Sequence, residues 1–166
     1  RNPYAYGNAW FVKQLKYVGN ANAEIDALNK VNLRDVAVVD SKFKSELGEA
    51  SAVQGDSLNT VTLKSYEPNA LKYEVNSAKG GLVVFSEIYY PGWQSFIDGK
   101  EVPHGRADYI LRAMKVPAGK HVVEFTFNPQ SIKVTEAIAY SAVALLVIVF
   151  LGSCGYSIGK NLKKKS

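Results

Sequence analysis

In residues 82–128 the sequence reads LVVFSEIYYPGWQSFIDGKEVPHGRADYILRAMKVPAGKHVVEFTFN, a series of short apolar runs separated by turn residues. Leu82–Tyr90 is long and apolar enough for a strand that is buried on both faces, and Pro91-Gly92 ends it. Asp98-Gly99 lies between two short runs and predicts a hairpin, because a type I′ turn needs residues that tolerate positive φ. The segment therefore indicates antiparallel β-structure.

Further strand patterns lie on both sides of this hairpin. Ala107–Val116 and Lys120–Asn128 are expected to pair across Pro117–Gly119. The other candidate strands are residues 8–18, Asp35–Asp40, Leu58–Tyr66 and Ala70–Val75. Seven or eight short strands at this spacing are typical of an antiparallel sandwich. We therefore predict a mostly β domain over residues 1–133, an Ig-like or jelly-roll-like β-sandwich.

One short N-terminal helix is expected near residues 22–32. Asn20 and Asn22 are candidate N-caps, and Glu24 and Asp26 would lie near the positive end of the helix dipole. The narrow apolar stripe of this helix comprises Ile25, Leu28 and Val31.

Ala137–Gly159 is a stretch of 23 residues without a charge. A helix of that length spans ~34 Å, which matches a hydrocarbon core of ~30 Å. Four lysines follow within residues 160–166, and cytoplasmic flanks carry the Lys/Arg excess. We therefore expect a transmembrane helix over 137–159, a basic cytoplasmic tail over 160–166, and residues 1–133 outside the cytoplasm.

The net charge of +5 comes mostly from this tail. Without its four lysines, 16 basic residues face 15 acidic ones, so the body carries about +1 and is not a nucleic-acid binder. One cysteine and two histidines disfavour a disulfide framework or a zinc site, and we expect no metal and no cofactor. The chain opens at Arg1 without a leader, so either a leader was removed or this is the C-terminal piece of a longer membrane protein; a domain that ends in a single span favours the second.

Three large aromatic residues, Tyr89, Tyr90 and Trp93, surround the Pro-Gly turn. Flat rings next to polar groups suit sugar rings, so these residues are candidates for glycan contact. The alternative is that they fill one end of the sandwich core.

Arg112 lies between apolar residues on one strand, where a buried guanidinium would need an acidic partner. Glu87, Glu124 and Asp98 are the candidates, and a structural Arg112–Glu87 ion pair is favoured over a ligand site. Arg106 and Asp108 are expected to be solvated. The candidates for a catalytic residue are His104 and His121. His121 has the position of a structural histidine. We therefore predict no catalytic residue.

Gly155 and Gly159 form a GxxxG pattern at the end of the apolar stretch. Small residues let a second helix approach closely, so this pair is a candidate helix-packing site. Incidental glycines near the membrane boundary are the alternative.

Tyr89–Pro129, followed by a membrane span, resembles the C-terminal end of the bacterial YfhO family of multi-spanning membrane proteins. The YPGW…DG…LRA…VPAGKH order carries the resemblance, and the opening NPYAYGNAWFVKQLKYV is similar to the segment that precedes it there. The matching residues look mainly like turn and core positions: Tyr90, Pro91, Gly92, Trp93, Asp98, Gly99, Arg112, Gly119 and His121. The resemblance implies a relation to polytopic glycosyltransferases that use lipid-linked sugar donors, but their catalytic loops have no counterpart in this sequence.

As the resemblance implies, we expect a non-catalytic accessory domain of a glycosyltransferase-like protein in the bacterial cytoplasmic membrane. Its expected partners are the lipid bilayer, upstream transmembrane helices of the same protein, and an envelope glycan or lipid-linked sugar. The alternative is a structural or protein-interaction module without a ligand. Exposed Tyr89, Tyr90 and Trp93 rings would favour glycan contact, and buried ones would favour the module.

Overall fold

The computed structural model describes residues 5–49 and 59–163. The predicted strand start at Leu58 and the tail residues Lys164 and Lys165 lie outside these ranges. The chain divides into two compact units, one up to Asn128 and one from Pro129. All the described strands belong to the first unit, and the second is a single helix.

The first unit is built mainly from short strands. Its strands in the described ranges are β1 (Ala9–Val12), β2 (Gln14–Val18), β3 (Val36–Asp40), β4 (Thr60–Glu67), β5 (Ala70–Ser77), β6 (Gly81–Ile88), β7 (Trp93–Ile97), β8 (Lys100–Glu101), β9 (Gly105–Ala107), β10 (Leu111–Val116) and β11 (Gly119–Phe127). Its helices are α1 (Ala21–Leu28) and α2 (Lys44–Leu47), with a 3-10 turn over Ser41–Phe43. The second unit is α3 (Gln130–Lys163).

Two antiparallel sheets pack face to face in the first unit. One has the strand order β4-β5-β11-β7-β8 and the other the order β1-β6-β10-β9. Tyr73, Phe85 and Phe125 meet between them, and the Phe85 ring lies 4.9 Å from each of the other two, centroid to centroid. Edge-to-face packing at this distance stabilises an apolar core. The predicted antiparallel β-sandwich is therefore confirmed.

Strand β6 is buried on both faces, as its unbroken apolar run predicted. Val83 and Phe85 face the core between the two sheets, whereas Leu82 and Val84 face a second core on the other side. The parallel pair of β2 and β3, together with α2, covers that second core. The domain therefore has three layers, with the β6 sheet in the middle.

The turn that the sequence predicted at Asp98-Gly99 is present. Asp98 and Gly99 have φ of 51° and 78°, and they join β7 to β8 with Ile97 opposite Lys100. Sequence alone located this hairpin because both residues tolerate positive φ. A second tight turn, Pro68-Asn69, joins β4 to β5 with Glu67 opposite Ala70.

The predicted pairing of Ala107–Val116 with Lys120–Asn128 is wrong. Strand β10 pairs with β6 and β9, whereas β11 lies in the other sheet between β5 and β7. Residues 117–119 cross between the sheets, and Gly80 packs tightly against them: a Cβ there would lie 2.9 Å from the Ala118 amide nitrogen. The first segment is itself broken, because Asp108 and Tyr109 both have positive φ and turn the chain from β9 to β10.

The single strand expected over residues 8–18 is two strands in different sheets. β1 pairs with β6, and β2 pairs in parallel with β3. At the junction the amides of Lys13 and Gln14 both donate to the carbonyl of Asp35, at 2.7 and 3.0 Å. These bonds redirect the chain from one layer to the next.

Helix α1 begins where the sequence indicated, because the Asn20 side chain accepts a hydrogen bond from the Ala23 amide at 2.9 Å. It ends at Leu28, earlier than the predicted residue 32. The prediction that the stripe of Ile25, Leu28 and Val31 faces inward is only partly correct, since Ile25 is 42% exposed. Glu24 and Ala27 are the buried residues of this helix instead, so the helix presents a carboxylate to the interior.

Helix α3 contains the predicted uncharged stretch. Its segment Val134–Ser153 has 20 residues with a mean hydropathy of 2.3, which is long and apolar enough to cross a membrane. None of that segment is buried within the chain itself. The core helix of a soluble protein is mostly buried, so this segment is a candidate membrane span.

Candidate functional site

The predicted glycan-contact residues do not form one exposed platform. Tyr89 is half-buried and packs against Phe43 and His104, with ring centroids at 5.2 and 5.6 Å. Trp93 is half-buried against Phe127 at 5.3 Å, and only Tyr90 is largely exposed, at 61%. The structure thus separates Tyr89 from the other two rings.

Tyr90, Trp93 and Phe127 form a small ring group that we call the aromatic end. Phe127 lies between the other two, 6.2 Å from Tyr90 by ring centroids. It was not predicted as a site residue, although its strand register opposite Trp93 places the two rings together. That register could not be read from sequence, because the partner strand of β11 was wrongly assigned.

Other exposed apolar side chains lie near the ends of strands. Tyr66 near the end of β4, Ile88 at the end of β6 and Ile110 before β10 are 63%, 64% and 48% exposed. Tyr66 lies opposite Leu71 of β5, whereas Ile88 lies opposite Leu111 in the other sheet. Single exposed apolar residues are normal on a soluble domain, so these three are not assigned to the aromatic end.

Arg112 is buried, as the sequence suggested, but aromatic rings are its closest partners. Its guanidinium carbon lies 3.9 Å from the centroid of Trp93 and 5.1 Å from that of Phe125. Its Nε donates to the carbonyl of Ile88 at 3.0 Å. Cation–π contact and this hydrogen bond hold a charge that is only 2% exposed.

The expected partner Glu87 does not form a salt bridge with Arg112. Among the described residues, no carboxylate lies within the 4.0 Å salt-bridge distance of the guanidinium. The two charges still interact at longer range: burial lowers the pKa of Arg112, and Glu87 partly restores it. Burial likewise raises the pKa of Glu87, and Arg112 opposes that shift.

Three buried polar atoms around Phe125 have no hydrogen-bond partner among the described residues: Arg112 Nη1, His104 Nε2 and Tyr73 Oη. Burial and the nearby Arg112 charge lower the pKa of His104 to about 4. Burial, reinforced by Glu87, raises the pKa of Tyr73 well above its usual range. At neutral pH both groups are therefore uncharged next to the buried guanidinium.

Ser95 and His104 lie as close together as the members of a catalytic dyad, but their hydrogen bonds run differently. Ser95 Oγ lies 2.8 Å from His104 Nδ1, but its proton is donated to the carbonyl of Val102 at 2.5 Å. The contact with His104 therefore needs a hydrogen on Nδ1, which leaves the histidine unable to take the serine proton. Ser95 is also 1% exposed, so the pair is structural.

His121 is also engaged by its surroundings, as its predicted structural role requires. Its Nδ1 lies 2.6 Å from Asp98 Oδ2 and its Nε2 lies 3.0 Å from the carbonyl of Ala118. Asp98 raises the pKa of His121, and the imidazolium and the Val122 amide lower the pKa of Asp98. These bonds connect the β7–β8 turn to the crossing between the sheets.

Arg106 and Asp108 are not solvated, contrary to the prediction. Arg106 Nη2 lies 2.6 Å from Oε2 of the fully buried Glu24, whose Oε1 accepts from the Tyr109 amide at 2.9 Å. Asp108 exchanges two hydrogen bonds of 2.8 Å with the backbone of Val38. Burial raises the pKa of Asp108 to about 7, so its neutral form persists near neutrality.

This polar cluster attaches α1 and β3 to the β9–β10 turn. It was not apparent from the sequence, since Glu24 and Arg106 are separated by 82 positions. No group of three or more potential ligands from His, Cys, Asp and Glu is suited to a metal ion in the described parts of the chain.

Gly155 and Gly159 both lie in α3, one helical turn apart. A Cβ added at Gly155 would meet nothing within 4 Å. Their role in helix packing stays a prediction.

These features define the chain as a β-sandwich domain followed by a helix long and apolar enough to cross a membrane. Residues 25–139, about two thirds of the chain, match the family described as bacterial membrane protein YfhO. The chain therefore belongs to the YfhO family, as the sequence resemblance suggested. It matches no curated protein and no solved structure.

Proposed function

We propose that this chain provides a non-catalytic extracytoplasmic domain to a glycosyltransferase-like protein of the bacterial cytoplasmic membrane. In this role the sandwich holds an acceptor glycan of the cell envelope for the membrane-embedded part of the protein. The aromatic end carries the proposal, because Tyr90 offers an exposed ring face beside Trp93 and Phe127. Such a surface stacks on sugar rings and leaves its polar edges for hydrogen bonds.

A non-catalytic role is supported by the hydrogen bonds that already engage the rings of both histidines. His104 is held as a neutral ring by Ser95, whereas both ring nitrogens of His121 are engaged, one by Asp98 and the other by a backbone carbonyl. A general acid or base must reach the proton that it transfers, and neither ring has that freedom.

The proposed topology has residues 1–133 outside the cytoplasm, α3 in the bilayer and the basic tail inside. Lipid and upstream transmembrane helices of the same protein are the partners of α3 in this proposal. A cysteine-free variant, C154A, provides the background for a topology test with a membrane-impermeant maleimide on intact cells. We expect K120C to be labelled and S166C to be protected, and the reverse pattern would contradict the topology.

A structural or protein-interaction module without a ligand is the second candidate. The burial of Tyr89 against Phe43 and the half-burial of Trp93 over Arg112 favour it, because core-filling rings are unavailable to a sugar. The two functions differ in what they require of the exposed Tyr90 ring. Glycan positioning requires that this ring contacts a sugar, and the module without a ligand does not.

The test is binding of envelope polymers to the full chain in zwitterionic nanodiscs. We expect binding that Tyr90→Ala abolishes and Tyr66→Ala leaves intact, because the two tyrosines are equally exposed and only Tyr90 contacts Phe127. Unchanged unfolding transitions would show that both variants are folded. Equal loss in both variants, or no binding to any envelope polymer, would contradict glycan positioning and favour the module.

A further inference from the structure

A groove of about 560 Å³ opens at the end of the sandwich opposite the aromatic end. Its apolar wall comes from both sheets: Leu82 and Val116 belong to the β6 sheet, and Ile97 belongs to the β11 sheet. A cavity of this volume with mostly apolar walls and few polar groups has the dimensions of a small-molecule site.

Lysines provide the charge of this groove. Lys79, Lys100 and Lys115 line it, and no acidic residue of the described parts of the chain does. Within the described ranges, Lys100 and Lys115 form no ion pair with a carboxylate. The nearest turn carboxylate, Asp98, is already bound to His121.

The Lys115 side chain packs closely against a glycine of the neighbouring layer. Its ammonium group lies against Gly48, where φ is +74° and an added Cβ would lie 2.3 Å from Nζ. A side chain at position 48 would displace this ammonium from its present position.

An apolar wall with a cationic rim selects a ligand that has both an apolar chain and an anionic head. Ammonium groups bind phosphate and carboxylate as point charges, and the apolar wall gains free energy when it covers a hydrocarbon chain. A neutral glycan would leave Lys100 and Lys115 without an anionic partner, and a polar polyanion would leave the apolar wall exposed.

We propose that this groove binds a single-chain amphiphile with an anionic head group. The chain lies at the open end between the two sheets along Ile97, Val102 and Val116, and the head group contacts Lys100 and Lys115. This site is separate from the aromatic end, so it does not depend on the proposed glycan contact.

The experiment uses the full chain in zwitterionic nanodiscs, with methyl-labelled isoleucine, leucine and valine. The probe is dodecyl phosphate below its critical micelle concentration. Dodecyl maltoside and inorganic phosphate test the chain and the head group separately, and empty nanodiscs correct for partitioning. We expect saturable shifts of the Ile97 and Val116 methyl signals with dodecyl phosphate only.

The double variant K100Q/K115Q should weaken this binding roughly tenfold or more, since it removes two charge-assisted contacts to the head group. The matched double control K16Q/K72Q removes the same charge from other exposed positions and should bind as the wild type does. All four lysines are exposed, and unchanged methyl spectra without probe would show that the folds are intact.

Three results would overturn the proposal. Equal shifts with dodecyl maltoside would show that charge plays no part, and equal affinity for inorganic phosphate would show that the chain plays none. Equal weakening by K16Q/K72Q would show that general charge, and not this groove, governs binding.

Discussion

Glu24→Gln should destabilise the sandwich strongly, although the residue lies in a short surface helix. Glu24 is fully buried, and its carboxylate contacts the Arg106 guanidinium at 2.6 Å and the Tyr109 amide at 2.9 Å. The glutamine retains an acceptor for the amide but removes the negative charge. Arg106 is then left with Asp40, at 3.9 Å, as its nearest carboxylate.

The expected cost follows from the burial of the pair. Removing one partner of a buried ion pair destabilises a protein by ~3–5 kcal/mol. The Arg106 side chain is 17% exposed, so water relieves part of this cost, and the glutamine keeps one hydrogen bond. We therefore expect about 3 kcal/mol, near the lower end of that range.

Urea unfolding of the full chain in nanodiscs measures this change through tryptophan fluorescence, since both tryptophans lie in the first unit. With a slope of about 2 kcal/mol/M, the midpoint should fall by about 1.5 M. Asp26→Asn is the matched control, because it removes an exposed carboxylate from the same helix and should shift the midpoint little. A shift for Glu24→Gln as small as that of the control would refute the structural role of the pair.

Three further predictions concern the other buried or paired charges. The folded chain holds the Asp108 proton up to about pH 7, so its contribution to stability is complete below the unfolded pKa and is lost as pH rises towards 7. Asp108→Asn should remove this loss, and urea midpoints that fall equally from pH 4 to pH 7 in both proteins would contradict it. His121 has a raised pKa, so its pairing with Asp98 stabilises below the unfolded pKa and fades as pH rises through the folded pKa. His121→Gln should therefore reduce the melting temperature more at pH 5.5 than at pH 8.5, and an equal reduction would argue against the ion pair. Arg112→Lys loses the Nε bond to Ile88 and the planar stack on Trp93, and should cost about 1–3 kcal/mol in urea unfolding. A cost no larger than that of Arg34→Lys would contradict this assignment.

The sequence predicted those parts of the fold that depend on neighbouring residues. Asp98-Gly99 was located because its turn requires positive φ, and Asn20 was located as a helix cap because its side chain bonds three residues ahead. The apolar run of β6 likewise indicated burial on both faces. The turn and the cap are determined by contacts within a few positions of the chain, and β6 was located because its signal is a local run of apolar residues.

The failures concern contacts between distant positions. Pairing β10 with β11 was the simplest assumption for adjacent strands, but both sides of β10 are occupied by β6 and β9. The burial of Arg112 was foreseen, but its contact with Trp93 depends on how two sheets face each other. The sequence alone does not indicate whether a charged side chain will contact a carboxylate or an aromatic ring in the folded domain.

Strand β6 has a further consequence because it contributes to both cores of the domain. Its side chains alternate between them, so neither core can open without exposing one face of this strand. The sandwich and its third layer should therefore exchange their amide hydrogens as one cooperative unit, in which the amides of Val83, Val84 and Phe85 are among the slowest. Loosening either core by a cavity would then accelerate exchange in the other.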